Sequence, residues 1–105
     1  MSTPLEQLNA RIFAEHLHTQ FKLQREGGAP TSLELIEVKE NNPSPSIEFF
    51  SLQFRGPAEH RLPQQIHRLE HDRLGTFDIF ITAISADAQG IVYESVFHRF
   101  RKTQP

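Results

Sequence analysis

The chain has 105 residues, of which 37% are hydrophobic, and a formal net charge of −2. This length suits one domain with a compact core, so we assign residues 1–105 to a single domain with frayed ends at residues 1–3 and 101–105. The slightly acidic balance argues against a nucleic-acid partner bound through its phosphates. The lack of cysteine excludes disulfides, thiolate metal sites and a cysteine nucleophile.

The same features bear on location. The N-terminus lacks the basic segment and apolar run of a signal peptide, and no apolar stretch approaches the length of about 20 residues that spans a bilayer. A cysteine-free composition fits a reducing compartment. We therefore expect a cytoplasmic protein with no membrane partner.

The N-terminal segment predicts a helix that ends near Leu17. Residues 3–6, Thr-Pro-Leu-Glu, have the form of a capping box and would start the helix near Pro4. Asn9 is a competing cap that would start it at Ala10. The helix would present one apolar stripe at helical spacing, formed by Leu5, Leu8, Ile12 and Phe13.

Six strands are predicted after the helix, separated by turns rich in glycine, proline and asparagine. In the second strand the apolar residues change parity between Leu35 and Ile36, which predicts either a bulge or partial cover of both faces. The predicted strands run from about Thr19 to Arg25, Leu33 to Lys39, Ile47 to Arg55, Gln65 to His71, Thr76 to Ser85, and Ile91 to Phe100.

The strand from Thr76 to Ser85 is the most apolar segment. One face carries Phe77, Ile79 and Ile81, and the other carries Phe80 and Ile84. Because both faces are apolar, we expect both to be covered and the strand to lie centrally in a sheet or barrel. The predicted core residues are Phe50, Leu52, Phe54, Phe77, Ile79 and Ile81.

One helix followed by six strands predicts an α+β fold. The connections are too short for crossover helices, so neighbouring strands should pair antiparallel. Burial on both faces favours a curled sheet or a small barrel, with the helix packed over an open end.

The histidines do not form a metal site by their spacing. On a strand, the rings of His67 and His71 would lie about 13 Å apart, whereas two ligands of one zinc ion lie about 4 Å apart. Adjacent strand residues point to opposite faces, so Glu70 and His71 do not make an acid–base pair. Since no phosphate-binding loop or nucleophile elbow occurs either, we predict no metal, no cofactor and no enzymatic activity.

Arg55 is the candidate ligand contact. It ends the third strand beside Gly56 and Pro57, where a guanidinium could hold a carboxylate or phosphate. The alternative is an ion pair with a nearby acid such as Glu94 or Asp78.

The last strand is the candidate partner surface, with Tyr93 and Val96 as possible contacts. Both of its faces carry large apolar residues, residues 91–97 contain no proline, and the strand comes last in the chain, so it could form an unprotected sheet edge. Self-association or a protein partner would use that edge. The competing possibility is closure onto the first strand inside a barrel.

Six short motifs occur in order along the chain: Phe13-x-x-x-Leu17-x-x-x-Phe21, Phe50-Ser51-Leu52-x-Phe54-Arg55-Gly56-Pro57, Leu62-Pro63-Gln64, Leu69-Glu70-His71, Leu74-Gly75 and Tyr93-Glu94-x-Val96-Phe97. By these motifs the chain resembles a family of bacterial domains of about a hundred residues with no assigned function. The resemblance covers roughly Leu8 to Phe97. Family members often have a glycine, a small polar residue and a tyrosine after Leu-Pro-Gln, where this chain has Gln65, Ile66 and His67, so the local turn geometry is open.

The resemblance implies no catalytic residues and suggests an association with phage-tail-like collar or fibre genes. Two functional classes remain. The first is a non-enzymatic interaction or assembly module. The second is a small-ligand-binding or enzymatic domain with a pocket in the curled sheet near Arg55. We favour the first because no catalytic constellation is found.

Overall fold

The computed structural model describes residues 8–24, 30–41, 47–59 and 61–100. These residues form one short helix and six strands. The elements are α1 (Ala10–Ala14), β1 (Gln20–Leu23), β2 (Thr31–Glu40), β3 (Ile47–Gly56), β4 (Gln65–His71), β5 (Gly75–Asp87) and β6 (Gly90–Phe100).

The predicted α+β class is wrong, because the fold is predominantly β. Six antiparallel strands are accompanied by a helix of only five residues. The helix stops at Ala14 because the following amides turn back to carbonyls three residues earlier, as in His16 N–H to Phe13 O at 2.9 Å. His18 then takes a left-handed conformation, with φ 65°, and its N–H donates to Leu35 O of β2 at 2.7 Å.

The helix begins where the competing cap predicts. The Asn9 side chain accepts the Ile12 N–H at 2.9 Å, which satisfies one of the free amides of the first turn. The start at Ala10 is therefore confirmed. The capping box at residues 3–6 lies outside the described residues.

The strands close into a barrel in the order β1-β2-β3-β6-β5-β4, with every neighbouring pair antiparallel. The closure comes from β1 and β4, through the pairs Lys22–Glu70 and Leu23–Leu69. The predicted irregularity in β2 is confirmed as a register shift between Leu35 and Glu37.

The prediction that the last strand lies at a sheet edge is wrong. β6 lies between β3 and β5 and pairs with both. β3 and β4 are consecutive in the sequence but are not neighbours in the barrel, and β6 rather than β4 lies beside β3. The barrel therefore closes between β1 and β4, and not between β1 and the last strand.

Alternate residues of every strand fill the barrel. The predicted core residues of β3 and β5 are all buried, as expected. α1 covers one end of the barrel with Phe13, whose ring lies 6.2 Å from Phe50, 5.9 Å from Phe77 and 6.2 Å from Phe97. The other end is crossed by the segment before β4, where the Leu62 N–H donates to the Tyr93 hydroxyl at 2.9 Å.

The expectation that β5 is covered on both faces is also wrong. Its inner face is buried, but Phe80 and Ile84 on the other side are exposed. A closed barrel has one interior, and α1 lies across its end, so the described elements do not cover the outside of β5. None of the described helical residues forms a helix long and apolar enough to cross a membrane.

Candidate protein-binding surface

Four large apolar side chains are exposed on the outer face of β4, β5 and β6. One of them, Ile84, lies within the register shift between Ala83 and Ser85 of β5, and the other three lie where the strands pair regularly. Ile66 is 64% exposed, Phe80 49% and Val96 55%. Ile66 and Phe80 are direct cross-strand partners. Thr82 pairs with Glu94 in an antiparallel register. Phe80 lies two residues before Thr82 and Val96 two residues after Glu94, so both lie on the same outer face. We call these three residues the outer apolar patch.

The apolar side chains of the patch are not explained by the packing of the core. Single exposed apolar residues are ordinary on a protein surface, whereas adjacent ones can mark an interaction site, and Ile66 and Phe80 are adjacent. Polar residues at these outward positions would preserve the inward–outward alternation of β4 and β5 equally well. The core therefore gives no reason for apolar residues at positions 66 and 80.

Charged and polar side chains border the patch. Beyond Ile66 and Phe80, Arg68 Nε donates to Asp78 Oδ1 at 2.9 Å. This hydrogen bond lowers the pKa of Asp78 and raises that of Arg68, so the pair is charged near neutral pH. On the other side of Phe80 lies Thr82. An apolar centre with a polar rim is the usual composition of a protein–protein contact.

The two predicted contact residues of β6 lie on opposite faces of the strand. Val96 belongs to the outer apolar patch. Tyr93 is fully buried inside the barrel, where its hydroxyl accepts the Leu62 amide. A partner at the surface does not reach Tyr93, which corrects its predicted contact role.

Arg55 is half-buried on the outer face, opposite Glu34 and Val92. Within the described residues it pairs with neither predicted acid: Asp78 bonds to Arg68, and no ion pair joins Arg55 to Glu94. Glu34 bonds to His18 instead, at 2.9 Å. The buried Nε of Arg55 has no hydrogen-bond partner.

Arg55 also lies outside the three clefts that Arg61 lines. Three shallow clefts, of about 290, 210 and 360 Å³, lie at the end of the barrel opposite α1, and Arg61 lines all of them. His67 lines the largest, with its Nε2–H donating to Pro63 O at 2.8 Å. The described lining residues offer no nucleophile beside a free base.

His71 holds the chain together at the end covered by α1. Its Nδ1 accepts the amides of Arg73 at 3.0 Å and Leu74 at 3.3 Å. Its Nε2–H therefore donates to Thr19 Oγ1 at 2.9 Å, and the Thr19 hydroxyl donates to His16 O at 2.6 Å. Burial, and next the nearby charge of His16, lower the pKa of His71. The ring is neutral and structural.

Among the residues that the structure describes, no group of three or more histidine, cysteine, aspartate or glutamate side chains could hold a metal ion.

The outer apolar patch was not predicted from the sequence, because Phe80 was assigned to a covered face of its strand. The available signal was in β4: Ile66 has the outward parity of Arg68 and Glu70, opposite to Leu69.

A family model described as a domain of unknown function, DUF6916, matches residues 8–97. The expectation of a domain family without an assigned function is confirmed. Neither a curated protein nor a solved structure gives a match.

Proposed function

The chain belongs to the DUF6916 family of domains of unknown function, and we propose that it is a non-enzymatic interaction module that binds protein through the outer apolar patch. The observation that carries this proposal is the cross-strand pair Ile66 and Phe80, exposed side by side on a barrel wall. Burying such a pair against a partner removes apolar surface from water, at roughly 25 cal/mol per Å².

The closed topology determines the kind of contact. β6 pairs with β3 over residues 91–100 and with β5 over residues 90–94, so a partner cannot add a strand along the whole of it. Contact through side chains on the outer face of β4 and β5 needs no free backbone groups. The proposed module therefore binds face to face.

The alternative, a ligand-binding or enzymatic pocket near Arg55, has weaker support. The inner faces of the strands fill the barrel with side chains, and Arg55 lines none of the clefts described above. We place the proposed interaction in the cytoplasm, in keeping with the cysteine-free sequence. An assembly role beside phage-tail-like proteins is the biological setting that the family resemblance suggests.

A photo-reactive phenylalanine analogue at position 80 tests the proposal in cells that express the full chain. The matched control carries the same analogue at Ser32, an exposed outward position on β2. We expect protein cross-links from position 80 at several times the yield from position 32. Equal yields at the two positions would overturn the proposal.

A further inference from the structure

We propose that the partner is a second copy of this chain, packed face to face across β4 and β5 about a two-fold axis parallel to the strands. This inference rests on the proposed function, because it identifies the protein that the outer apolar patch binds. It adds a specific geometry, which follows from the register of the two strands.

β4 and β5 are paired residue by residue: Ile66 with Phe80, Arg68 with Asp78, and Glu70 with Thr76. A two-fold axis midway between the strands places β4 of one copy over β5 of the other. Each cross-strand pair then meets its own inverted copy.

The result is complementary in every row. Ile66 of one copy faces Phe80 of the other, which brings apolar side chains together. Arg68 faces Asp78, which brings opposite charges together. Glu70 faces the neutral Thr76, so no row sets like charges against each other.

The charged row also explains why a second copy suits this face. Within one chain both members of the Arg68–Asp78 pair are exposed, with side-chain exposures of 64% for Arg68 and 49% for Asp78. Such a pair contributes little to the stability of the monomer. In the dimer the two pairs form a ring of four alternating charges that borders the apolar contact and fixes its register.

The size of the contact predicts its strength. β4 has seven residues, so the shared strip is roughly 23 Å long at 3.3 Å per residue. Two aligned sheets can pack in this way about 10 Å apart. A strip of this length that is only two strands wide has an area below the roughly 800 Å² that each partner buries in a standard interface. The dimer should therefore be weak. A net charge of −2 per chain opposes it only slightly.

Charge exchange tests the geometry. Sedimentation is measured for the wild type, Arg68→Asp and Asp78→Arg, from about 10 µM to about 1 mM, which covers weak affinities. We expect the average mass of the wild type to rise towards the dimer and each variant to remain monomeric. An equimolar mixture of the two variants should recover the dimer, because aspartate at position 68 of one chain then faces arginine at position 78 of the other.

The two controls, Arg11→Asp and Glu15→Arg, carry equal charge changes at exposed positions. Arg11 lies in α1, and Glu15 directly follows it. Each control should associate as the wild type does. If the two interface variants associate like the wild type, or their mixture remains monomeric, the two-fold geometry is wrong. A cross-link from position 80 to a different protein would overturn the dimer and leave the proposed function standing. Equal cross-linking at positions 80 and 32 would overturn both.

Discussion

Replacing His71 by leucine should destabilise the protein substantially without leaving a cavity where the imidazole ring lies. Leucine is apolar and can retain the packing against Phe21, whose ring centroid lies 4.4 Å from that of His71. It cannot accept the amides of Arg73 and Leu74 or donate to Thr19. Each lost hydrogen bond costs about 1 kcal/mol, and more where a buried donor such as the Leu74 amide is left unpaired, so we expect a loss of about 2–4 kcal/mol.

The cost should depend on pH. The pKa of His71 is lowered, first by burial and then by the charge of His16, while Asp72 acts in the opposite direction. The unfolded chain therefore takes up a proton at higher pH than the folded chain. Stability from the neutral ring is fully present above the unfolded pKa of about 6.5 and is lost as pH falls through that value towards the folded-state pKa.

Urea unfolding of the wild type and His71→Leu between pH 8 and pH 5 measures both effects. The two free energies of unfolding should differ most at the alkaline end and converge as pH falls. His98→Gln, at an exposed position of β6, should change stability by less than about 0.5 kcal/mol. A His71→Leu cost below about 0.5 kcal/mol, or one that is the same at every pH, would refute the role assigned to this ring.

Two further substitutions test the core and the end of the barrel opposite α1. Ile81→Ala should lower the free energy of unfolding by about 2–5 kcal/mol, because Ile81 is fully buried in β5 and alanine leaves a cavity; a loss below about 1 kcal/mol in urea would mean that the inner face of β5 is misassigned. Tyr93→Phe should cost about 1–3 kcal/mol, because the Leu62 amide loses its acceptor inside the barrel. Hydrogen exchange of that amide should then accelerate, and an unchanged exchange rate would show that the hydroxyl is not its acceptor.

Local patterns determined the strands well. The predicted strand at residues 65–71, taken as the hairpin partner of the central strand, matches β4 at both of its bounds. The predicted ends of the other strands lie within about two residues of those observed, because residues of one parity must enter the core. The parity change at Leu35 and Ile36 located the β2 irregularity. The Asn9 cap was also visible locally, since its side chain bonds an amide only three residues away.

The prediction of the fold class failed where long-range contacts decide. The helix was expected to end near Leu17, but the left-handed His18 and its bond to Leu35 of β2 turn the chain earlier. Sequence order suggested that β6 could lie at an edge, whereas β6 takes the place beside β3. Pairing between strands distant in sequence depends on loop paths that carry no local signal.

Neighbouring residues are therefore enough to place the strands and turns and to identify the parity of β3 and β5 that enters the core. The closure of the sheet through β1 and β4, and the outward position of Phe80 beside Ile66, depend instead on contacts between distant parts of the chain. A strand with apolar residues on both faces is compatible with cover on both sides. Closure left one interior to be filled, and the β4–β5 register then brought Ile66 and Phe80 together on the outside.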